Sequence, residues 1–298
     1  MSTRSQLLAL NDELRRLKTG GQRVVTVTEE GLARLRAAVS ASQSELSAPA
    51  IAEPAAPAVS PVVRRAVVPG AASAAIPAEP PVVKLPEGDK AARWAALREL
   101  VLNHPVCLAH VRPGKKVVLG VGSLDAQIFF CGEAPGADEE VQGEPFVGPA
   151  GQLLTRMIQG MGLKREQVYI GNIMNWRPEM STGAGGVQVG NRPPTPEEMN
   201  FCLPFLRAQL QIVQPQVIVA LGKTAAEGLL GQGTFKAVGD VRGRWHTFAG
   251  VPLMVTYHPS YILRNQSNSS KRAIWEDLLK VMERVALPIS EKQRNYFR

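Results

Sequence analysis

The chain has 298 residues, with 34 Lys plus Arg against 26 Asp plus Glu and a formal net charge of +8. That length suits one large domain with an appendage or two modest domains, and the surplus favours a polyanion, nucleic acid before membrane, because no stretch is long and apolar enough to cross a bilayer. Three widely spaced cysteines exclude a disulfide scaffold, and the mixed charges of MSTRSQLLALNDELRR do not make a secretory signal, so a reducing cytoplasm is the expected compartment.

Leu7, Leu10, Leu14 and Leu17 recur at helical spacing, and Leu32, Leu35 and Val39 suggest a second short helix. Residues 1–46 therefore read as helical segments, either unpacked or available to dock a protein partner. Residues 47–88 are mostly Ala, Pro and Val without pattern, and they read as a disordered linker. From 89 to 298 the text is globular. A helix fits DKAARWAALRELVL. Buried strands fit KKVVLG, AQIFFC, QVYIGNI, QVIVALG and PLMVTYH. Helices fit GQLLTRMIQGMG, TPEEMNFCLPFLRAQLQIV, TAAEGLLG and SSKRAIWEDLLKVMERV. Thr195 with Glu198 makes a capping box with Pro196 in the first turn, and Pro204 should end or kink that helix. Strands alternating with helices imply an α/β fold, a mostly parallel sheet covered on both faces.

In such sheets ligands bind beyond the carboxyl ends of the strands. Three strands run there into Glu133, Asn172 and His258, and Phe146 lies on the long loop GEAPGADEEVQGEPFVGPAG that follows the first. Singly each has a plain reading: a capping acid, a turn amide, a satisfied loop histidine, a core plug. Together they suit a nucleobase. The ring stacks on the aromatic, the amide reads its edge, and the imidazole faces a carbonyl oxygen gaining negative charge. The carboxylate then orients a water or balances charge on a sugar, as cleavage of a glycosidic bond requires.

In order and spacing, GEAPGADEE…GEPFVGPAGQLL, VYIGNI…RP…NRPPTPEE, QPQVIVALGKTAAEGLLG and HPSYILR resemble the uracil-DNA glycosylase superfamily, nearest its family 4 branch, over roughly Leu100 to Val285. The resemblance implies a three-layer α/β/α sandwich around a four-stranded, mostly parallel sheet. It also implies an enzyme that removes uracil from DNA, and a monomer is expected. Carried over by position, Glu133 and His258 are catalytic, with Glu139 as a second acidic position. Phe146 stacks on uracil, Asn172 reads it, and Ala134 and Gly136 line the base. Thymine must be refused by bulk near C5, for which the backbone from Gly136 to Glu139 is one candidate. In HPSYILR, Ile262 takes the strand-penetrating position, with Tyr261 and Leu263 beside it, and Ser260 and Arg264 meet phosphate. Lys236, Arg242 and Arg244 form a second candidate contact with the DNA backbone.

The chain departs from the family 4 pattern at the iron–sulfur ligands. His104 and Trp176 stand at two of the four cysteine positions, and Cys107 and Cys202 keep the others. Tryptophan supplies no ligand, so no four-iron cluster is expected and Trp176 should fill the vacated space; the alternative is a weak remnant site of three ligands, His104, Cys107 and Cys202. Residues 179–190 lengthen a loop. Ala134 occupies the place where related glycosylases carry an aspartate, which leaves water activation to Glu133. The alternative is a uracil-DNA binding or trapping protein without turnover, against which FKAVGDVRGRW offers no histidine. A hydrolase of free nucleosides would have no use for the basic surplus.

Overall fold

A computed structural model describes residues 76–180, 188 and 190–298. The expected N-terminal helices, the linker up to residue 75 and most of the 179–190 insertion lie outside the described residues. Residues 76–88, expected as linker, lack regular structure, yet Ile76, Val83 and Leu85 pack against the core.

The first helix, α1 (Lys90–Leu102), starts where Asp89 accepts a hydrogen bond from Ala92 N at 2.7 Å. A short α2 (Pro105–Ala109) follows. Next come β1 (Val121–Gly122), β2 (Ile128–Gly132), α3 (Ala137–Gln142), α4 (Pro149–Gly160) and β3 (Tyr169–Asn172). The middle of the fold is α5 (Pro196–Val213), β4 (Val217–Leu221), α6 (Lys223–Leu230) and α7 (Val238–Val241). It ends with β5 (Trp245–Phe248), β6 (Val251–Thr256), α8 (Pro259–Arg264), α9 (Asn268–Arg284) and α10 (Glu291–Arg294). No helix of the described residues is long and apolar enough to cross a membrane.

The sheet has six strands in the order β1-β3-β2-β4-β6-β5, not four. Its centre, β3-β2-β4-β6, is parallel, and β1 and β5 add antiparallel edges. The edges differ from the expectation for a physical reason. β1 pairs only two residues, and β5 alternates exposed and covered positions instead of presenting an apolar run. KKVVLG is not a strand: it has no ladder, and Val118 N donates instead to Asn175 O at 2.8 Å, beyond the end of β3.

Successive residues of a strand face opposite sides. Phe129 and Cys131 of β2 therefore enter one core with α1 and α5, while Ile128 and Phe130 enter another with α4 and α9. Burying a Phe on either side is worth about 1.5–3 kcal/mol, which is why the central strands read as unbroken apolar runs. The Thr195–Glu198 capping box forms as expected. Pro204, however, does not end its helix, which continues to Val213. A proline at 204 frees the carbonyl of Asn200, and Asn200 is exposed, so water can take the missing bond.

Candidate active site at the ends of the parallel strands

The parallel register sets Gly132 of β2 directly against Asn172 of β3. Ile173 N and Met174 N then donate to the carbonyls of Gly132 and Glu133 at 3.0 and 3.1 Å, carrying the pairing past the strand ends. On the other side, Gly222 N donates to Thr256 O at 2.9 Å, tying the end of β4 to the segment that leads to His258. The strand ends thus form one rim.

Gly132 is glycine because nothing larger fits. A Cβ there would sit 2.4 Å from Asn172 Oδ1 and 2.6 Å from the Phe146 ring, so amide and ring meet over its bare Cα. Phe146 holds a left-handed φ of +54° and is 6% exposed. A conformation of that kind costs about 1–3 kcal/mol and persists only where neighbours impose it. Glu139 imposes it. Its Oε1 accepts from Val147 N and Gly148 N at 3.1 and 3.0 Å, and its Oε2 accepts from Gly136 N at 3.0 Å. Both carboxylate oxygens are therefore committed to backbone N–H groups. Glu139, expected as a second acidic position of the site, thus also shapes the loop on either side of Phe146. Gly136 caps α3 at the same junction, and Ala134 packs against the core.

Asn172 is 6% exposed, and its Oδ1 has no hydrogen-bond partner among the described residues. A buried acceptor left unpaired costs about 1–3 kcal/mol, and a bound donor would recover that cost.

His258 caps α8. Ser260 N donates to its Nδ1 at 3.2 Å, and Ser260 Oγ lies 2.8 Å from the same atom. A backbone N–H can only donate, so Nδ1 is the acceptor and the neutral ring carries its proton on Nε2. Burial, with the Arg264 charge as the smaller cause, pulls the imidazole pKa down to about 4. At neutral pH the ring is an uncharged donor. It lies 5.6 Å from Phe146, centroid to centroid, at 33°. Ser260, expected at phosphate, turns its hydroxyl to this imidazole.

Glu133 follows Gly132 directly. Burial raises its carboxyl pKa; the Thr224 hydroxyl works against that, and the Glu227 charge reinforces it. Thr224 and Glu227, on the first turns of α6, went unread in the sequence. The rule that marked the other residues could have found them, because α6 starts at the end of β4.

Around this rim the remaining assignments divide. Leu263 is 38% exposed, whereas Ile262 is 7% exposed and belongs to the core with α4 and α9. The wedge reading of Ile262 is therefore corrected: on this helix Leu263 projects and Ile262 anchors. Arg264, Lys236 and Arg244 are exposed. Arg242 is paired with the buried Asp277 at 2.9 Å. His246, the histidine nearest the basic loop, has its Nε2 2.9 Å from Val241 O.

A family model described as the uracil DNA glycosylase superfamily matches residues 119–279. The chain belongs to this superfamily. It is 44% identical over 185 residues to the type-4 uracil-DNA glycosylase of Thermotoga maritima, which covers 61% of this chain and 89% of that protein. Against the type-4 protein of Archaeoglobus fulgidus the identity is 42% over 152 residues, 49% of this chain and 71% of the relative. The type-5 uracil-DNA glycosylase of Pyrobaculum aerophilum is 29% identical over 169 residues, covering 55% of this chain and 73% of that protein. Among these relatives the likeness is therefore to the family 4 branch.

In this superfamily member the four iron–sulfur positions converge, but on packing. Trp176 is 1% exposed, stacks on His110 at 4.9 Å and lies 6.0 Å from Phe201. His104 sets its ring edge against Phe201 and Phe205 at 5.4 and 5.5 Å, and its Nδ1 accepts from Val106 N. Burial pushes the Cys107 thiol up to about 12, and it raises Cys202 as well, with Cys107 as a neighbouring contributor. Among the described residues no group of three or more His, Cys, Asp or Glu is placed to hold a metal ion. An indole and edge-packed aromatic rings occupy the space, so this donor set does not fit a four-iron cluster.

Proposed function

We propose that the chain hydrolyses the N-glycosidic bond of uracil in DNA, flipping the base out of the helix and leaving an abasic site. The observation that carries this reading is the buried, unpartnered Oδ1 of Asn172 packed with Phe146 over the bare Gly132. Uracil stacked on Phe146 donates its N3–H to Oδ1 and accepts at O4 from the Asn172 amide. Cytosine has the opposite pattern at both atoms and leaves buried groups unpaired. The Nε2–H of His258 donates to O2 as negative charge gathers there. Glu133, ionised, takes a proton from the attacking water and faces the positive charge on the sugar. Water supplies the hydroxyl at C1′, and uracil leaves with the bonding electron pair.

Leu263, Arg264 and Arg244 are assigned to DNA: the first to the gap left by the base, the others to phosphate. The backbone of Gly136 to Glu139, pinned by the Glu139 carboxylate, is assigned to excluding the thymine methyl. Catalysis is assigned to residues 89–298 of a monomer, and a partner-docking role to the segment before them.

The test is release of uracil from a labelled oligonucleotide, single- and double-stranded. We expect free uracil and a heat-labile abasic strand over many turnovers. A retained protein–DNA adduct, or release from deoxyuridine alone, would overturn the reading.

A further inference from the structure

Arg242, which the sequence offered as a phosphate contact, faces inward. Its Nε donates to Asp277 Oδ2 at 3.0 Å, and a terminal nitrogen donates to Asp277 Oδ1 at 2.9 Å and also to Ala273 O. Asp277, on α9, is 1% exposed, and its Oδ2 accepts in addition from Thr256 Oγ1 at 2.7 Å. Thr256 is the last residue of β6, two before His258. The Arg242 guanidinium lies 5.3 Å from the Tyr257 ring, and Tyr257 stacks on Tyr261 of α8 at 4.5 Å and 21°. Gly243 completes the clamp at a left-handed φ of +69°. A Cβ there would come within 2.8 Å of Asp277 Oδ1, and Lys280 Nζ donates to the Gly243 carbonyl at 2.7 Å.

A bidentate guanidinium–carboxylate pair fixes a plane as well as a distance. Here the guanidinium lies over the Tyr257 ring, Tyr257 stacks on Tyr261, and Tyr261 lies on the same short helix as Leu263. The segment from Thr256 to Tyr261 is thereby held at both ends. Resting on the glycosylase reading above, we propose that Asp277 and Arg242 are positioning residues for strand penetration. They act through the two stacked tyrosines to aim α8, so that Leu263 enters the space left by the expelled base. A base in single-stranded DNA is already unstacked and needs little of this. Misdirecting α8 therefore harms duplex substrate more than single-stranded substrate.

The experiment measures kcat/KM for uracil in duplex and single-stranded oligonucleotides with the full chain. The wild type is compared with Leu263→Ala, Arg242→Ala, Tyr257→Leu and Tyr257→Phe. We expect the duplex-to-single-strand ratio to fall about tenfold or more in the first three, and to return to the wild-type value in Tyr257→Phe, which keeps the ring. Equal loss on both substrates in Arg242→Ala and Tyr257→Leu would overturn the proposal, since a merely structural defect lowers the active fraction alike. If Arg242→Ala does not fold, the Tyr257 pair decides, because it leaves the buried ion pair intact. A wild type that releases no uracil from either strand form would instead remove the glycosylase reading, and this proposal with it.

Discussion

Glu133→Gln is expected to lower kcat for uracil release by about 10²–10⁴-fold, the usual span for losing a general base. The exchange keeps the size of the side chain and removes its proton affinity and charge, so the fold and the melting temperature should change little. The pH profile gives the sharper signature. Burial raises the Glu133 pKa above the ordinary carboxylate value, with Glu227 adding to the rise. The carboxyl must be ionised to accept a proton from water, so the wild-type rate climbs with pH through that raised value and then levels. In Glu133→Gln the climb disappears. A variant that keeps both its rate and its acid limb would show that another group activates the water.

The second large effect is at His258. His258→Ala is expected to lower kcat by about 10²–10³-fold, as losing one donor to a developing oxyanion does. The direction of its pH dependence follows from its lowered pKa, about 4 in the folded chain against 6.5 for the ordinary side chain. Between those values the unfolded chain binds the proton and the folded one does not. The stability contribution of a neutral His258 is thus complete above about pH 6.5 and is lost as pH falls towards 4. The reacting group is the neutral imidazole, so activity should not rise as pH drops through 6.5. A rate that increased there, and lost that increase in His258→Ala, would mean that the imidazolium does the work.

Much of this candidate site is legible in the sequence. The four parallel strands are largely buried on both faces and appear as apolar runs, so the polar residues at or just past their ends, Glu133, Asn172 and His258, stand out. The edge strands could not be seen so. β1 pairs two residues, and the WHTF of β5 carries no apolar run. Two other differences depend on a partner remote in the chain or on helix phase. Arg242 reads as a free cation until Asp277, 35 residues later, closes on it. Ile262 and Leu263 are adjacent apolar residues, and only the orientation of a six-residue helix decides which is buried. Glu139 reads as a site acid, and the sequence does not show that its two oxygens also accept from the N–H groups of Gly136, Val147 and Gly148. Trp176 was legible from the opposite direction. A residue that cannot ligate a metal, at a position where ligands stand in related chains, predicts packing, and the aromatic cluster around it is what the structure contains.

The central claim is that the unpartnered Asn172 amide selects the base. Its most direct test is Asn172→Asp, measured as kcat/KM for uracil against cytosine in otherwise identical oligonucleotides. A carboxylate cannot donate to O4, and each buried group left unpaired costs about 1–3 kcal/mol, so the uracil-to-cytosine ratio should fall roughly tenfold to a hundredfold. A ratio unchanged from the wild type, in a variant that folds and still releases uracil, would contradict the account.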